Sequence, residues 1–332
     1  MPGLPAARRL PVSQRTAAAR RARRLADAPA IVVLGDLVID VVLAPAQPLE
    51  RGTDVPGRVR LRQGGSATTT ARWLGRLGAR SSLVCAVGRD AIGRALVAAV
   101  TSDGVQVRAV RVAGAPTGRI GVLVEPDGER SFVQDRGAAL RLRPEDLKPE
   151  WFAGVDAVHL PAYSLLDQPL GLAGMAATKL ARDAGALVTL DVSSTAPLLA
   201  QGRRAALRLL GDAAPDLLFA TKDEARALLG AKKDEALLDL APVVVVKRGR
   251  KGATILARDG KRPLRFEVAT TPIKAADTTG AGDAFSAGFL FGWLDARRKG
   301  LAASTALQHG AVAGNRAALR HLSMPLAELS LG

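Results

Sequence analysis

Short apolar runs alternate with alanine- and leucine-rich stretches along most of this 332-residue chain. The apolar runs predict buried strands, and the stretches between them predict helices. Strands are predicted at 31–42, 81–88, 155–160, 186–193, 216–220 and 243–249, and helices at 69–79, 90–104, 171–185, 205–212 and 223–230. This order favours a parallel sheet with helices on both faces. We therefore predict an α/β fold, a three-layer α/β/α arrangement around a doubly wound, mostly parallel sheet.

The composition, 48% hydrophobic and 23% charged, predicts a sizeable core in a folded domain covering 29–325. Cys85 is the single cysteine and lies in an apolar run, so neither a disulfide framework nor a cysteine-based metal site is expected. No apolar run reaches the roughly 18 residues of a membrane span. We predict a cytoplasmic protein with no membrane partner.

Residues 1–28 form a separate basic segment. Seven arginines and no acidic residue lie between Met1 and Ala26. Clustered arginines attract phosphate, which would suit a nucleic-acid or anionic-surface arm, or a transit peptide. No aromatic side chain is interleaved for base stacking. A disordered extension is therefore the favoured interpretation, and a nucleic-acid partner is not expected.

Two segments, 41–62 and 115–136, interrupt the alternation and are predicted to form a small β lid. The first is rich in proline and glycine, and the second has two alternating runs around Pro126-Asp127-Gly128, a hairpin signal. Both lie between a strand and a helix, where a doubly wound sheet carries its ligand loops. Ordinary surface hairpins are the alternative interpretation.

The string DTTGAGDAFSAGFL, residues 277–290, predicts an anion site at the start of a helix. Small residues at 280–282 allow successive backbone amides to approach a phosphoryl group. An aspartate at 283 would face the same point and could take the proton of an attacking hydroxyl. A glycine-rich helix start, with Asp283 interacting only with the helix dipole, is the alternative.

Residues 277–288 resemble, without a gap, the C-terminal signature D-T-T-G-A-G-D-A-F-x-A-G of ribokinase-like (PfkB) carbohydrate kinases. The resemblance extends over about residues 30–320. It implies ATP-dependent phosphorylation of a hydroxyl of a small sugar or sugar derivative, with Mg²⁺. It further implies that Asp283 is the general base and that Gly280, Ala281 and Gly282 form the anion hole. Asp277 and Thr279 would then hold a monovalent cation such as K⁺, and a homodimer is compatible with the resemblance.

The sugar-side residues are predicted near the end of the first strand and in the following glycine pair. Asp40 matches the family aspartate that accepts hydrogen bonds from sugar hydroxyls, and Gly64 and Gly65 match the glycines that let the backbone approach the sugar. Thr69 stands where the family usually has asparagine, so one hydroxyl replaces an amide. This departure weakens the prediction of a ribose-type substrate.

The nucleotide side is predicted from two further segments. Glu224 matches the glutamate of the family motif N-x-x-E, which helps to organise Mg²⁺ through water, although Thr221 replaces the usual asparagine. The segment VVVVKRGRKGA resembles the family's ATP-contacting strand and loop. The predicted nucleotide-binding residues are Thr221, Lys247, Gly249, Gly252 and, on the helix that lines the adenine, His309.

The motifs are compatible with more than one class of substrate. Aromatic residues make up 3% of the chain, and the lid segments offer only Phe132 for stacking on a base. A free sugar is therefore favoured over a nucleoside. Arginines at 119, 130 and 136 could instead bind a carboxylate or a phosphate on the substrate, with Arg136 counted among the sugar-side residues; solvated lid arginines are the alternative.

Other classes fit the motifs less well. The string GAGDAF lacks the third glycine of G-x-G-x-x-G, and GRKGAT is not a P-loop. A nucleoside kinase of the same fold, or a non-enzymatic sugar or nucleotide sensor, remains as an alternative. An intact Asp283 argues against the sensor, which has no need of a base.

Overall fold

The computed structural model describes residues 27–127, 129–260, 263–275, 277–325 and 327–329. Almost all of the predicted 1–28 tail, as well as Gly128 in the predicted hairpin turn, lies outside these residues. The main sheet has nine strands in the order β13-β12-β11-β10-β9-β8-β1-β4-β5. These strands are β1 Ala30–Leu34, β4 Arg80–Gly88, β5 Gln106–Val112, β8 Ala157–Pro161, β9 Leu187–Asp191, β10 Leu217–Thr221, β11 Val243–Lys247, β12 Ala253–Ala257 and β13 Leu264–Val268. The seven strands from β5 to β11 in this order are parallel, whereas β12 and β13 are antiparallel.

A second sheet of four strands, in the order β3-β2-β6-β7, covers one end of the main sheet and is called the lid below. Its strands are β2 Val38–Pro45, β3 Gly57–Gly64, β6 Thr117–Val124 and β7 Arg130–Gly137. Strands β6 and β7 form an antiparallel hairpin. Its turn is fastened by the amide of Glu129, which donates to the Asp127 carboxylate at 3.0 Å. Both segments that interrupt the alternation therefore contribute strands to the lid.

Helices pack on both faces of the main sheet, as the alternation predicted. They are α1 Ser66–Leu77, α2 Ala91–Ser102, α3 Leu170–Asp183, α4 Thr195–Leu198, α5 Arg203–Asp212, α6 Lys222–Leu229, α7 Ala281–Arg298 and α8 Ala303–Ser323. Alternate residues of β1 enter two separate cores: Ile31 and Val33 pack with α1, α2, α7 and α8, whereas Val32 and Leu34 pack with α3, α5 and α6. The predicted three-layer fold is confirmed.

The apolar run 31–42 is not one strand, contrary to the prediction. The chain leaves the main sheet at Gly35 and enters the lid at Val38. A side chain at Gly35 would lie 2.6 Å from the Ser164 hydroxyl oxygen, so only glycine allows this crossing. Asp36 therefore lies at the carboxyl end of β1, whereas Asp40 lies on a lid strand and not, as predicted, near the end of the first strand.

Candidate active site

A cavity of about 710 Å³ lies between the carboxyl ends of the main-sheet strands and the lid. This is the position at which open α/β sheets bind ligands. The cavity brings together predicted residues from distant parts of the chain. Those that line it are Asp40, Gly64, Gly65, Thr69, Arg136, Asp277, Thr279, Gly280 and Asp283.

Asp283 lies in the first turn of α7 and faces α1 across the cavity. Its Oδ1 accepts a hydrogen bond from the Ser66 hydroxyl at 2.5 Å. Burial raises the pKa of Asp283 to about 7, even though the Ser66 hydrogen bond acts in the opposite direction. A carboxylate whose pKa lies near neutrality is suited to accept a proton from a hydroxyl.

The turn before α7 has the geometry of an anion site. Gly280 has a φ of 81°, and a side chain here would lie 3.2 Å from the His321 ring and from the Thr69 methyl group. The amide of Ala281 donates to the Thr278 carbonyl at 3.2 Å. Within the described part of the chain, the amides of Gly282 and Asp283 have no acceptor, so these two are oriented for an anion.

Asp40 and the glycine pair form the floor of the cavity. A side chain at Gly64 would lie 1.9 Å from Asp40 Oδ1, and one at Gly65 would lie 2.2 Å from the Asp36 carbonyl oxygen. Burial raises the pKa of Asp40 to about 7, and the nearby Arg62 charge only partly offsets it. No described residue donates a hydrogen bond to this carboxylate, which leaves both oxygens available to a ligand.

Thr69 lies on α1 beside the anion turn. Its hydroxyl donates to the Gly65 carbonyl of its own helix at 3.1 Å. The hydroxyl oxygen can therefore still accept a hydrogen bond, but its proton is already used.

Arg136 is buried, and carboxylates surround its guanidinium group. Nε and Nη2 donate to the two oxygens of Asp36 at 2.8 and 2.9 Å, and Nη1 donates to Asp167 at 2.7 Å. Burial alone would lower the pKa of Arg136, but the Asp36 charge and hydrogen bonds outweigh it and raise that pKa. Its positive charge is thus neutralised within the protein.

The predicted nucleotide-binding residues do not line the cavity, and two of them, Thr221 and Lys247, lie at the carboxyl ends of the neighbouring strands β10 and β11. Lys247 ends β11, and its ammonium group donates to Asp191 Oδ2 at 2.6 Å. Burial opposes the charge of Lys247, but Asp191 and Glu224 outweigh this effect and raise its pKa. A side chain at Gly282 would lie 3.4 Å from Lys247 Nζ, so this cation lies beside the anion turn.

Thr221 and Glu224 form a capping box at the start of α6. The Glu224 carboxylate accepts from the Thr221 amide at 2.7 Å, and the Thr221 hydroxyl accepts from the Glu224 amide at 3.2 Å. Burial and then the Asp191 charge raise the pKa of Glu224. The predicted metal-organising glutamate therefore also holds the end of a helix.

The glycine loop beyond β11 has two residues with positive φ, Gly249 at 54° and Gly252 at 84°. A side chain at Gly252 would lie 2.0 Å from the Val268 carbonyl oxygen, so glycine is required there. His309 is exposed on α8, and its carbonyl oxygen lies 3.0 Å from the position of a side chain at Gly292. The histidine that lines the cavity is His321 instead.

Sequence reasoning missed several residues of the site. Asp191 is buried at the end of β9 and also accepts from the Ser286 hydroxyl of α7 at 2.8 Å, which joins the two halves of the site. Its place at a strand end was a signal that could have revealed it. Ser66, directly after the glycine pair, carried a similar signal. His321 carried none, because only tertiary packing brings α8 to the cavity.

The oxygens of Asp277 and Thr279 do not fit the predicted monovalent-cation site. Asp277 pairs with Arg130 at 2.7 Å and with Arg62 at 3.1 Å. The Thr279 hydroxyl accepts from Arg130, and its carbonyl accepts from His321 Nε2 at 2.7 Å. Burial opposes ionisation of Asp277, but the Thr279 amide and the Arg130 charge hold its pKa below the usual range. Hydrogen-bond donors and positive charges already occupy these oxygens.

These features define a class, an α/β protein with a lidded cavity in which a carboxylate of raised pKa faces a glycine-rich anion turn. A sequence model of the pfkB family of carbohydrate kinases matches residues 28–326. The chain belongs to this family.

Relatives and solved structures agree with this assignment. The chain is 30% identical to "Probable fructokinase-4" of Arabidopsis thaliana over 80% of its length and 83% of the relative. It is 32% identical to the "ATP-dependent ribose-1-phosphate kinase" of Halopiger xanaduensis over 70% and 73% of the two chains. The fold matches that of an adenosine kinase from Sinorhizobium meliloti with a TM-score of 0.76, at 24% identity over 91% and 97% of the chains.

The predictions of a kinase and of ATP-dependent sugar phosphorylation are confirmed at the level of the family. Among the described residues, no helix is long and apolar enough to cross a membrane. Cytoplasmic location and homodimer formation stay predictions.

Proposed function

We propose that the cavity binds a neutral monosaccharide and that Asp283 accepts the proton of the hydroxyl that receives the phosphoryl group. The observation that carries this proposal is the pairing of two carboxylates of raised pKa, Asp40 and Asp283, in one cavity beside the anion turn. Asp40 would accept hydrogen bonds from sugar hydroxyls, while Asp283 would activate one of them. The hydroxyl oxygen then bonds to the terminal phosphorus of ATP, and ADP leaves.

The backbone amides of Gly282 and Asp283 would hold the migrating phosphoryl group, with the Lys247 ammonium beside them. Such preorganised donors typically contribute roughly 3 kcal/mol each to stabilising the developing charge. Because Asp191 already holds Lys247, the donor needs no rearrangement on binding. Lys247 is thus assigned to the phosphates and not to the sugar.

Mg²⁺ fits the donor set only in part. Among the described residues, no group of three metal-ligating side chains is clustered. Mg²⁺ usually keeps several waters and binds one or two carboxylates together with substrate phosphates. Glu224, with Asp191 near it, would hold the hydrated ion, and the ion would neutralise phosphate charge.

A neutral substrate follows from the charges that line the cavity. Each of the five arginines along its described wall is paired with a carboxylate. The pairs are Arg62 and Arg130 with Asp277, Arg72 and Arg76 with Asp103, and Arg136 with Asp36 and Asp167. A carboxylate or phosphate on the sugar would have to compete with these carboxylates for a guanidinium group. The name of the Arabidopsis relative makes fructose the first sugar to assay.

The test is an assay of ADP production with fructose, other hexoses, pentoses, ribose 1-phosphate, keto-sugar acids and adenosine. We expect the highest kcat/KM with a neutral monosaccharide. A preference for ribose 1-phosphate or a sugar acid would overturn the charge argument, and a preference for adenosine would establish a nucleoside kinase. Sugar binding by calorimetry without any ADP production would favour the sensor.

A further inference from the structure

Both edges of the lid meet at a single carboxylate. Strands β3 and β7 are the two outer strands of the lid, and each carries one arginine that reaches Asp277. Arg130 Nη1 lies 2.7 Å from Asp277 Oδ1, and Arg62 Nη1 lies 3.1 Å from Asp277 Oδ2. Their side chains are only 17% and 16% exposed. Two lid strands that do not touch each other are thus fastened to the same point.

That point belongs to the loop that forms the anion turn. The Thr279 amide donates to Asp277 Oδ1 at 2.9 Å, and the Thr279 hydroxyl accepts from Arg130. Gly280, which begins the turn into α7, follows directly. The position of the lid and the conformation of the anion turn are therefore linked through two polar residues, Asp277 and Thr279.

The Thr279 carbonyl is held from the other side. Trp73 Nε1 donates to His321 Nδ1 at 3.1 Å, so the ring proton lies on Nε2. Nε2 can then donate to the Thr279 carbonyl, 2.7 Å away. A monovalent cation at Asp277 and Thr279 would need these oxygens as ligands, yet two guanidinium groups and an N–H already bind them.

We propose that Arg62 and Arg130 are positioning residues that lock the closed lid onto the anion turn, and that their guanidinium groups take the place of a monovalent cation. The positioning role rests on the proposed function, whereas the replacement of the cation does not. Fixed arginines would supply the positive charge and the geometry at Asp277. The enzyme would then need no K⁺, and the anion turn would be complete only when the lid is closed over the sugar.

The first experiment compares KCl, NaCl and tetramethylammonium chloride at equal ionic strength, with MgCl₂ constant. For the unaltered protein, we expect the phosphorylation rate at saturating ATP to vary less than about twofold among the three salts. The melting temperature without substrates should not change measurably. In the double variant R62M/R130M, the Asp277 carboxylate and the Thr279 hydroxyl are freed, so KCl should raise both quantities above their values in tetramethylammonium chloride. Stimulation of the unaltered protein by KCl of about fivefold or more would overturn the proposal.

The second experiment tests positioning. R130M should raise KM for the sugar about tenfold and raise the ratio of sugar-independent ATP hydrolysis to phosphorylation, because a lid that is not fastened at Asp277 admits water to the site. The matched control is R119M, which removes a lid arginine whose exposed pair with Asp135 lies away from Asp277. Equal KM and equal hydrolysis ratios for R130M and R119M would overturn the positioning role.

Failure of the proposed function and failure of the arginine lock on the lid can be distinguished. The melting comparison needs no turnover, so it stands even if Asp283 is not the base. If R62M/R130M does not fold, Asp277→Asn removes the carboxylate charge and keeps both arginines; it should loosen the lid, measured as faster proteolysis between β6 and β7 than in R119M. Unchanged proteolysis would count against the lock.

Discussion

The sugar side and the nucleotide side of this site handle charge in opposite ways. On the sugar side, each cavity arginine is paired with a carboxylate of the protein, and Asp40 and Asp283 have pKa values raised to about 7. On the nucleotide side, the Lys247 ammonium group lies beside the anion turn, whose Gly282 and Asp283 amides have no acceptor among the described residues. The first region offers acceptors for neutral hydroxyls, and the second offers donors for phosphate. This difference supports the proposed assignment of the sugar to the first region and of ATP to the second.

The largest effect is expected where the two halves meet. Asp283→Asn should reduce kcat at least about a hundredfold, the lower end for a lost general base, while ATP binding is kept. A carboxyl whose folded pKa is raised disfavours the folded state as pH rises above its unfolded value. The melting temperature of the variant at pH 8 should therefore be no lower than that of the unaltered protein. Near-normal turnover in this variant would contradict the role of Asp283 as general base.

Lys247→Met tests the proposed role of Lys247 on the nucleotide side. Loss of a charged donor to phosphate should lower kcat/KM for ATP at least about tenfold, since hydrogen bonds to charged groups contribute about 1.5 to 3 kcal/mol. The KM for the sugar should not change. Because an unpaired buried Asp191 would destabilise the protein, the control is the double variant Asp191→Asn/Lys247→Met. A change confined to the KM for the sugar would instead place Lys247 on the sugar side of the site.

Thr69→Asn tests the sugar side. Its larger side chain would enter the cavity beside Gly280 and alter contacts worth about 0.5 to 1.5 kcal/mol per neutral hydrogen bond. We expect kcat/KM for the sugar to fall a few-fold to about tenfold, with an unchanged KM for ATP. The placement of the two halves would be contradicted by the reverse pattern, measured in the same coupled assay.

Ser66→Ala should have the smallest effect, one that depends on pH. The base acts when deprotonated, so kcat/KM should fall as pH decreases through about 7. The Ser66 hydrogen bond lowers the pKa of Asp283. Its loss should therefore move the acidic limb of the pH–rate profile to a pH about one unit higher. A pH–rate profile from 5 to 9 should show loss near pH 6 and little change at pH 9. An unshifted limb would mean that Ser66 does not act on Asp283.

Local sequence was enough for much of the fold and part of the site. Alternating apolar runs predicted the parallel sheet because strands buried on both faces need continuous apolar residues. The string 277–288 predicted the anion turn because small residues allow amides to approach an anion wherever they occur. The run 31–42 was misjudged, since periodicity does not show that a chain changes sheets at a single glycine.

The sequence by itself determined which residues can accept a proton, bind phosphate or allow a close backbone approach. Tertiary structure alone decided which of them share a cavity and in what state of charge. Arg62 and Arg130 reach the Asp277–Thr279 loop across 215 and 149 residues, and His321 reaches Trp73 across 248. None of these three contacts has a local signature, because a side chain's charge partners and desolvation are set by packing between distant segments. The same arginines that a sequence suggests for substrate anions are, once folded, held by the protein's own carboxylates.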